Sequence, residues 1–310
     1  MQTRNRVLVL GSLNMDLVVG SERVPLSGET IFGRSFATFL GGKGANQAVA
    51  AARLGVPVGM VGAVGGDAFG AQLADTMAQE GIDTSALQRT EGVSTGIALV
   101  MVEPGGRNTM IVVPGANGEV APDAALASLD QLAPIRLLVA QFEIRMDTTW
   151  QVIHAAQARG IPVLLNAAPA RAEAPAYFRG LDYLVVNEQE AACLAEQSVD
   201  NPALAAQAAH KLAGWGVLVV IVTLGVQGAV VVANGISQHI PAVPVEAVDS
   251  TAAGDAYIGG LAWALTEGQP LERAMTVAGC CGALAVTRLG AQPSLPTRTM
   301  LEAFMRERHI

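Results

Sequence analysis

The stretch Asp249-Ser250-Thr251-Ala252-Ala253-Gly254-Asp255, with the apolar run Ala256-Tyr257-Ile258-Gly259-Gly260-Leu261-Ala262-Trp263 behind it, decides the reading of this 310-residue chain. Small residues let the backbone pass close to a ligand, and the helix that follows opens with free N–H groups and the positive end of its dipole. Such a turn makes an anion hole. Asp255 has no obvious packing role within it and is placed to take a proton from an attacking hydroxyl. Together the parts suggest phosphoryl transfer to an alcohol. The plainer alternative is an ordinary helix start with Asp249 or Asp255 as its N-cap.

A second small-residue loop, Phe39-Leu40-Gly41-Gly42-Lys43-Gly44-Ala45-Asn46-Gln47, precedes an Ala-rich helix over 45–54. It lacks the Gly-x-x-x-x-Gly-Lys-Ser/Thr spacing of a phosphate loop, and the chain holds no Gly-x-Gly-x-x-Gly fingerprint. Lys43 and Asn46 instead offer donors and an amide suited to a polyol. Nearer the start, Val7-Leu8-Val9-Leu10-Gly11 reads as a buried strand with Asn14 and Asp16 emerging beyond its end. Turn chemistry would explain either residue alone, because Asn and Asp bond their own backbone. Asn14, Asp16, Gly42, Lys43 and Asn46 together favour sugar hydroxyls.

Outward from these loops, short Val/Leu/Ile runs alternate with helical patterns. Strands are expected at 7–10, 58–64, 137–139, 163–165, 184–186, 218–222 and 229–232, and helices at 45–54, 69–80, 148–158, 187–196, 203–215, 253–265, 271–286 and 297–306. Continuous apolar strands between helices indicate an α/β fold whose mostly parallel sheet is covered on both faces. Ligands of such sheets bind beyond the carboxyl ends of the strands, where Asn14, Asn166, Asn187 and Thr223 would emerge. Two segments break the rhythm: 17–19 with 30–39, and 94–102 with 108–113, the latter turning at Pro104-Gly105-Gly106. They read as a small antiparallel sheet acting as a lid, whose outer face would be an exposed apolar patch unless paired. No repeat, low-complexity segment or linker divides residues 1–310.

The composition sets limits. Half the chain is hydrophobic (51%), 34 residues are Gly, and the net charge is −8 with a pI near 5.0, which argues against nucleic-acid or anionic-membrane surfaces. Met1-Gln2-Thr3-Arg4-Asn5-Arg6 leads into only a short apolar strand, so neither a secretory signal nor a membrane span is expected. Cys193, Cys280 and Cys281 have neither metal spacing nor a disulfide plan, which fits a reduced, cytoplasmic protein.

With these motifs in place the chain resembles the ribokinase-like (pfkB-type) carbohydrate kinases. The likeness rests on Gly11-Ser12-Leu13-Asn14-Met15-Asp16, on Gly41 to Ala48 and on Asp249 to Asp255. It is supported by Asn166-Ala167-Ala168-Pro169-Ala170, Val186 to Glu190, Thr223 to Gly228 and Val286 to Ser294, which run in family order along the chain. The resemblance implies a three-layer α/β/α kinase with a β lid over 17–40 and 94–113, working as a homodimer through that lid. It implies ATP with Mg²⁺ as phosphoryl donor and D-ribose as acceptor, phosphorylated on its 5-hydroxyl. Another acceptor (2-deoxyribose, fructose or a nucleoside) and a non-catalytic sugar-binding relative stand as alternatives.

By the same resemblance Asp255 is the general base, and the Ala252, Ala253 and Gly254 N–H groups meet the transferring phosphoryl. Asn14, Asp16, Gly42, Lys43, Asn46 and Glu143 join Asp255 in holding the sugar, with Ala98 and Val112 closing from the lid. On sequence alone Glu143 also reads as a solvated loop carboxylate. Nucleotide contacts fall to Asn187, Glu190, Thr223, Gly225, Gly228, Gly254 and Gly279, and Glu190 reaches Mg²⁺ through water. Asn187 and Glu190 also have capping-box spacing, and one helix end can serve both roles. A monovalent cation, K⁺, is implied at Asp249, Thr251, Ala285, Arg288, Gly290 and Ser294. Two positions depart from the family pattern. Gly279 brings no side chain to the adenine, and Ser250 stands where Thr is common.

Overall fold

The computed structural model describes residues 6–105 and 107–310. Met1 to Asn5 of the amino-terminal segment, and Gly106 of the expected Pro104-Gly105-Gly106 turn, lie outside the described residues. The strands are β1 (Arg6–Leu10), β2 (Asn14–Gly20), β3 (Ser35–Gly41), β4 (Val58–Gly65), β5 (Leu87–Thr90), β6 (Gly96–Val102), β7 (Asn108–Val113), β8 (Ile135–Ala140), β9 (Val163–Asn166), β10 (Tyr183–Asn187), β11 (Val219–Thr223), β12 (Ala229–Ala233) and β13 (Ile236–Ile240). The helices are α1 (Lys43–Arg53), α2 (Ala68–Gln79), α3 (Pro122–Gln131), α4 (Met146–Ala158), α5 (Glu188–Ala195), α6 (Pro202–Ala213), α7 (Ala253–Thr266), α8 (Leu271–Ala285) and α9 (Arg298–Glu307).

Nine strands form the large sheet in the order β13-β12-β11-β10-β9-β8-β1-β4-β5, parallel except at the β11–β12 and β12–β13 pairs. Each central strand is apolar throughout because both of its faces are buried. Along β1, Val7 and Val9 join the core beneath α1, α7, α8 and α9, whereas Leu8 and Leu10 join the core beneath α3, α4, α5 and α6. This is the expected three-layer α/β/α arrangement.

Three elements go beyond the sequence expectation. β13 is almost wholly exposed and polar, and β5 is a short, half-buried strand, so neither carries an apolar run. In α3 the buried residues are Ala125, Ser128 and Leu129, too thin a stripe to announce a helix, although Pro122 sits at its first turn.

The small sheet runs β3-β2-β6-β7. Its outer pairs β2–β3 and β6–β7 are antiparallel, as expected, and the seam between β2 and β6 is parallel. The seam is parallel because β2 and β6 both leave the carboxyl-terminal edge of the large sheet, following the like-directed strands β1 and β5. Strand structure begins at Ser35 rather than Thr30, because β2 ends at Gly20, the partner of Ser35, and offers nothing to pair with the chain before it. One row of the sheet reads Phe39, Asp16, Ala98 and Val112, so these four share a face. Among the described residues no helix is long and apolar enough to cross a membrane.

The helices that carry the central motifs pack without spacing. A Cβ on Gly259 of α7 would collide with the Ala50 Cβ of α1 and lie 2.9 Å from the Ala51 nitrogen, whereas a Cβ on Gly279 of α8 would meet nothing within 4 Å. Gly259→Val should therefore cost about 1–3 kcal/mol in chemical unfolding, as overpacking does. Gly279→Ala should hold or gain up to about 1 kcal/mol, because it relieves helical glycine. Equal unfolding midpoints for the two variants would contradict the close α1–α7 contact.

Candidate active site

Successive strands diverge at β1 and β8. From β1 the large sheet continues to β4 on one side, and from β8 to β9 on the other. A crevice at the carboxyl ends is the consequence. Gly11 and Ser12 leave β1 at this point, and Gln141 and Glu143 leave β8 two residues apart, as strand alternation requires for a shared face. The amino-terminal ends of α1 and α7 supply Lys43, Asn46 and Asp255. Gly42 enters α1 at φ +87°, a conformation that favours Gly, and a Cβ there would fall 2.8 Å from the Asn14 nitrogen.

Short hydrogen bonds tie these segments together. Asn46 Nδ2 donates to Asp255 Oδ2 at 2.9 Å, and Gln47 Nε2 donates to Asp255 Oδ1 at 2.9 Å. Glu143 Oε2 accepts from the Ser12 hydroxyl at 2.5 Å and from the Lys43 backbone N–H at 3.0 Å, so it is not a solvated loop carboxylate. Asn117 Nδ2 donates to Asn14 Oδ1 at 2.7 Å and also to the Leu13 carbonyl, which fixes the Asn14 amide on β2 rather than in a turn. Asn46 Oδ1 is buried with no partner, an acceptor suited to a hydroxyl donor.

Three carboxylates, Asp255, Glu143 and Glu190, act on the Lys43 ammonium, and a fourth, Asp16, feels two of them. Burial, then the charges of Glu143 and Asp255, pushes the Asp16 carboxyl up to about 7. Burial also raises Asp255, against the pull of the Lys43 charge and the Asn46 and Gln47 amides. Glu190 is raised chiefly by burial, with Asp255 and Glu188 adding to it, while the Asn187 N–H and Lys43 oppose. Burial works against the Lys43 ammonium, but the charges of Asp255, Glu143 and Glu190 outweigh it and hold the lysine above its usual range.

Neither Asp249 nor Asp255 caps α7. The N-cap is Ala252, in the left-handed region at φ 58° and with no side-chain capping bond. That conformation costs an Ala about 1–2 kcal/mol, and it leaves the Gly254 N–H without a backbone partner. A Cβ on Gly254 would meet nothing within 4 Å. The Ala253 N–H already donates to the Ser250 carbonyl at 3.2 Å, so the helix end offers the free Gly254 N–H beside a buried carboxylate, which suits an anion.

The nucleotide candidates occupy the neighbouring strand ends. Asn187 and Thr223 are register partners at the ends of β10 and β11. Asn187 and Glu190 form a complete capping box at the start of α5, with Glu190 Oε2 accepting from the Asn187 N–H at 2.8 Å. Gly225 and Gly228 flank a short 3-10 turn, and a Cβ on Gly228 would collide with the Ile240 carbonyl, so packing alone requires that glycine. Gly279 opens onto a cavity of about 660 Å³ lined also by Pro241, Val243, Met275 and Thr276.

Two of the cation candidates, Thr251 and Gly290, bond to the Asp249 carboxylate. Its Oδ1 accepts from the Thr251 N–H at 2.9 Å and hydroxyl at 2.6 Å, and its Oδ2 from the Gly290 N–H at 2.8 Å. Burial opposes the Asp249 charge, but these donors hold its pKa below the usual carboxylate value. Ala285 and Arg288 are joined by an N–H to carbonyl bond of 3.2 Å, and Ser294 is fully buried. Oxygen donors of this kind, a carboxylate with backbone carbonyls, are what a large hard monovalent ion takes, although the Asp249 oxygens are met here by N–H and hydroxyl donors. Among the described residues no three His, Cys, Asp or Glu side chains gather as a metal cage.

Sequence reasoning did not assign Ser12, Gln47, Asn117 or Gln141 to the site. Gln141 was within reach, since it alternates with Glu143. Asn117 carried no signal, because it comes from a short 3-10 turn (Gly115–Glu119) more than 100 residues along the chain from its partner Asn14.

Known proteins resemble this chain along nearly its full length. A ribokinase of Schizosaccharomyces pombe is 41% identical over 302 residues, covering 94% of this chain and 95% of that one. A deoxyribokinase of Salmonella typhi is 35% identical, covering 94% and 95%. The structure of Arabidopsis thaliana ribokinase complexed with ribose and ATP superposes with a TM-score of 0.90 at 30% identity, covering 98% and 99%. The family model for pfkB family carbohydrate kinases matches residues 4–298, and this chain belongs to that family.

Proposed function

We propose that the chain transfers the γ-phosphoryl group of ATP to the 5-hydroxyl of D-ribose, giving D-ribose 5-phosphate and ADP. The observation that carries this reading is Asp255, a buried carboxylate beside an uncapped helix start and bonded to Asn46 of the polyol-suited loop. Asn14, Asp16, Gly42, Lys43, Asn46 and Glu143 hold the sugar, with Ala98 and Val112 above it in the Asp16 row of the lid. Asp255 takes the proton as the O–H bond breaks. The hydroxyl oxygen then bonds to the γ-phosphorus, and the bond to ADP opens with its electron pair leaving on the β-phosphate. The N–H groups of Ala252, Ala253 and Gly254 receive the charge that develops.

Asn187, Glu190, Thr223, Gly225, Gly228 and Gly279 hold the nucleotide, the last through backbone approach to the base. Mg²⁺ on the phosphates, reached by Glu190 through water, would neutralise phosphate charge. K⁺ at Asp249, Thr251, Ala285, Arg288, Gly290 and Ser294 would shape the Ala252–Gly254 turn without touching substrate. The similarity to a deoxyribokinase keeps 2-deoxyribose as a second acceptor. A cytoplasmic setting is supported by the free cysteines Cys193, Cys280 and Cys281.

We read residues 1–310 as one kinase unit that pairs through its lid. The lid face opposite Asp16 carries Leu17, Val19, Leu99, Phe36 and Ile111, the last two 66% and 61% exposed. A second copy of that face would cover it.

Three outcomes test the reading. Asp255→Asn should lower kcat with D-ribose by about 10²–10⁴-fold or more while calorimetric ribose affinity stays within a few-fold; unchanged turnover removes the base assignment. Replacing K⁺ by a tetraalkylammonium ion should depress turnover, and equal rates in both would remove the cation site. Ile111→Glu should shift the sedimentation coefficient from dimer to monomer, whereas a monomeric wild type would dispose of the lid interface.

A further inference from the structure

Behind the proposed base lies a chain of buried amides that the sugar and nucleotide assignments do not use. Gln47 is 1% exposed and Gln141 fully buried. Gln47 Nε2 gives one N–H to Asp255 Oδ1 at 2.9 Å and the other to Asn166 Oδ1 at 3.0 Å. Its Oε1 accepts from Gln141 Nε2 at 2.7 Å. Asn166 Nδ2 in turn donates to the Val185 carbonyl at 3.2 Å, which turns Asn166 Oδ1 toward Gln47.

Donors and acceptors match in one arrangement only. An ionised carboxylate is purely an acceptor, so Gln47 must present its NH₂ to Asp255 and its oxygen to Gln141. A reversed Gln47 would set oxygen against the carboxylate and against Asn166 Oδ1, and NH₂ against the NH₂ of Gln141. Gln141 Oε1 is left buried without a partner, beside Gly11, where any Cβ would collide with it. That unpaired acceptor is the cost of turning the Gln141 NH₂ toward Gln47.

From this geometry we propose that Gln47, oriented by Gln141, is the positioning residue that holds Asp255 ionised and fixes its Oδ1. It thereby leaves lone pairs on both carboxylate oxygens for the incoming hydroxyl. The inference rests on the assignment of Asp255 as the base. Gln47 acts through Asp255 and does not touch the sugar. The other charged groups facing Asp255 are Lys43, Glu143, Asp16 and Glu190. None of them hydrogen-bonds to it, so a change at Gln47 leaves those charges in place.

The test uses the full chain with Gln47→Met, and with Gln47→Glu as the isosteric variant should the first fail to fold. Removing an N–H donor from a carboxylate raises its pKa. The acidic limb of single-turnover phosphoryl transfer to D-ribose should therefore move up by about one pH unit in Gln47→Met. The like charge of a second carboxylate beside Asp255 should move it further in Gln47→Glu. The plateau rate should fall on the order of tenfold to a hundredfold, and ribose affinity should stay within about threefold. Carbon-13 titration of the Asp255 carboxyl, assigned by its loss in Asp255→Asn, reads the same shift without turnover. It decides the matter even if wild-type enzyme ignores ribose, an outcome that would sink only the acceptor assignment. A titration midpoint unmoved in the folded variants, or a loss confined to ribose affinity, would overturn the proposal.

Discussion

The burial of the Asp255 carboxylate is the constraint on which the rest of the site depends. A charge removed from water must be met by donors and by opposite charge, or it is neutralised. Here the Asn46 and Gln47 amides supply the donors and Lys43 the charge, all from the first two turns of α1. Burial favours the neutral acid and these partners favour the ionised one. Their balance sets a carboxylate that can accept a proton without being freely solvated.

That balance places demands on the fold. α1 and α7 must approach closely enough for side chains on one to reach the first turn of the other, and Gly259 against Ala50 provides the approach. The α7 start carries no side-chain cap, and its left-handed N-cap Ala252 comes at a local energetic cost. The divergence of the sheet at β1 and β8 brings the Ser12 and Glu143 segments to the same crevice, where one hydrogen bond joins them. In this acidic chain positive potential is concentrated locally, at helix starts and at Lys43 among the carboxylates, rather than over a basic surface.

Much of this was legible in the sequence because the signals were local. Continuous Val/Leu runs marked the buried strands, small-residue turns marked the helix starts, and the three main motifs named the residues that converge. Polar edge strands such as β13 escaped because an exposed strand has no apolar pattern to show. The parallel β2–β6 seam escaped because pairing direction depends on where strands leave the large sheet, which no short window contains. The amide chain escaped for a different reason. Gln47, Gln141 and Asn166 look like ordinary polar residues until three distant segments are superposed, and only then does hydrogen-bond matching fix their orientation. Asn117 is the extreme case, a clamp on Asn14 from a short 3-10 turn with no motif at all.

The central claim is that this site presents a pentose hydroxyl to Asp255 beside a bound nucleotide. Its most direct test is ADP release from ATP-Mg²⁺ in the presence of K⁺, measured with D-ribose, 2-deoxyribose, fructose and adenosine side by side. The account predicts kcat/KM highest for D-ribose, by on the order of tenfold or more over an acceptor lacking a hydroxyl that the site hydrogen-bonds. ADP release with none of the four acceptors would contradict it, leaving a sugar-binding cleft without the transfer chemistry.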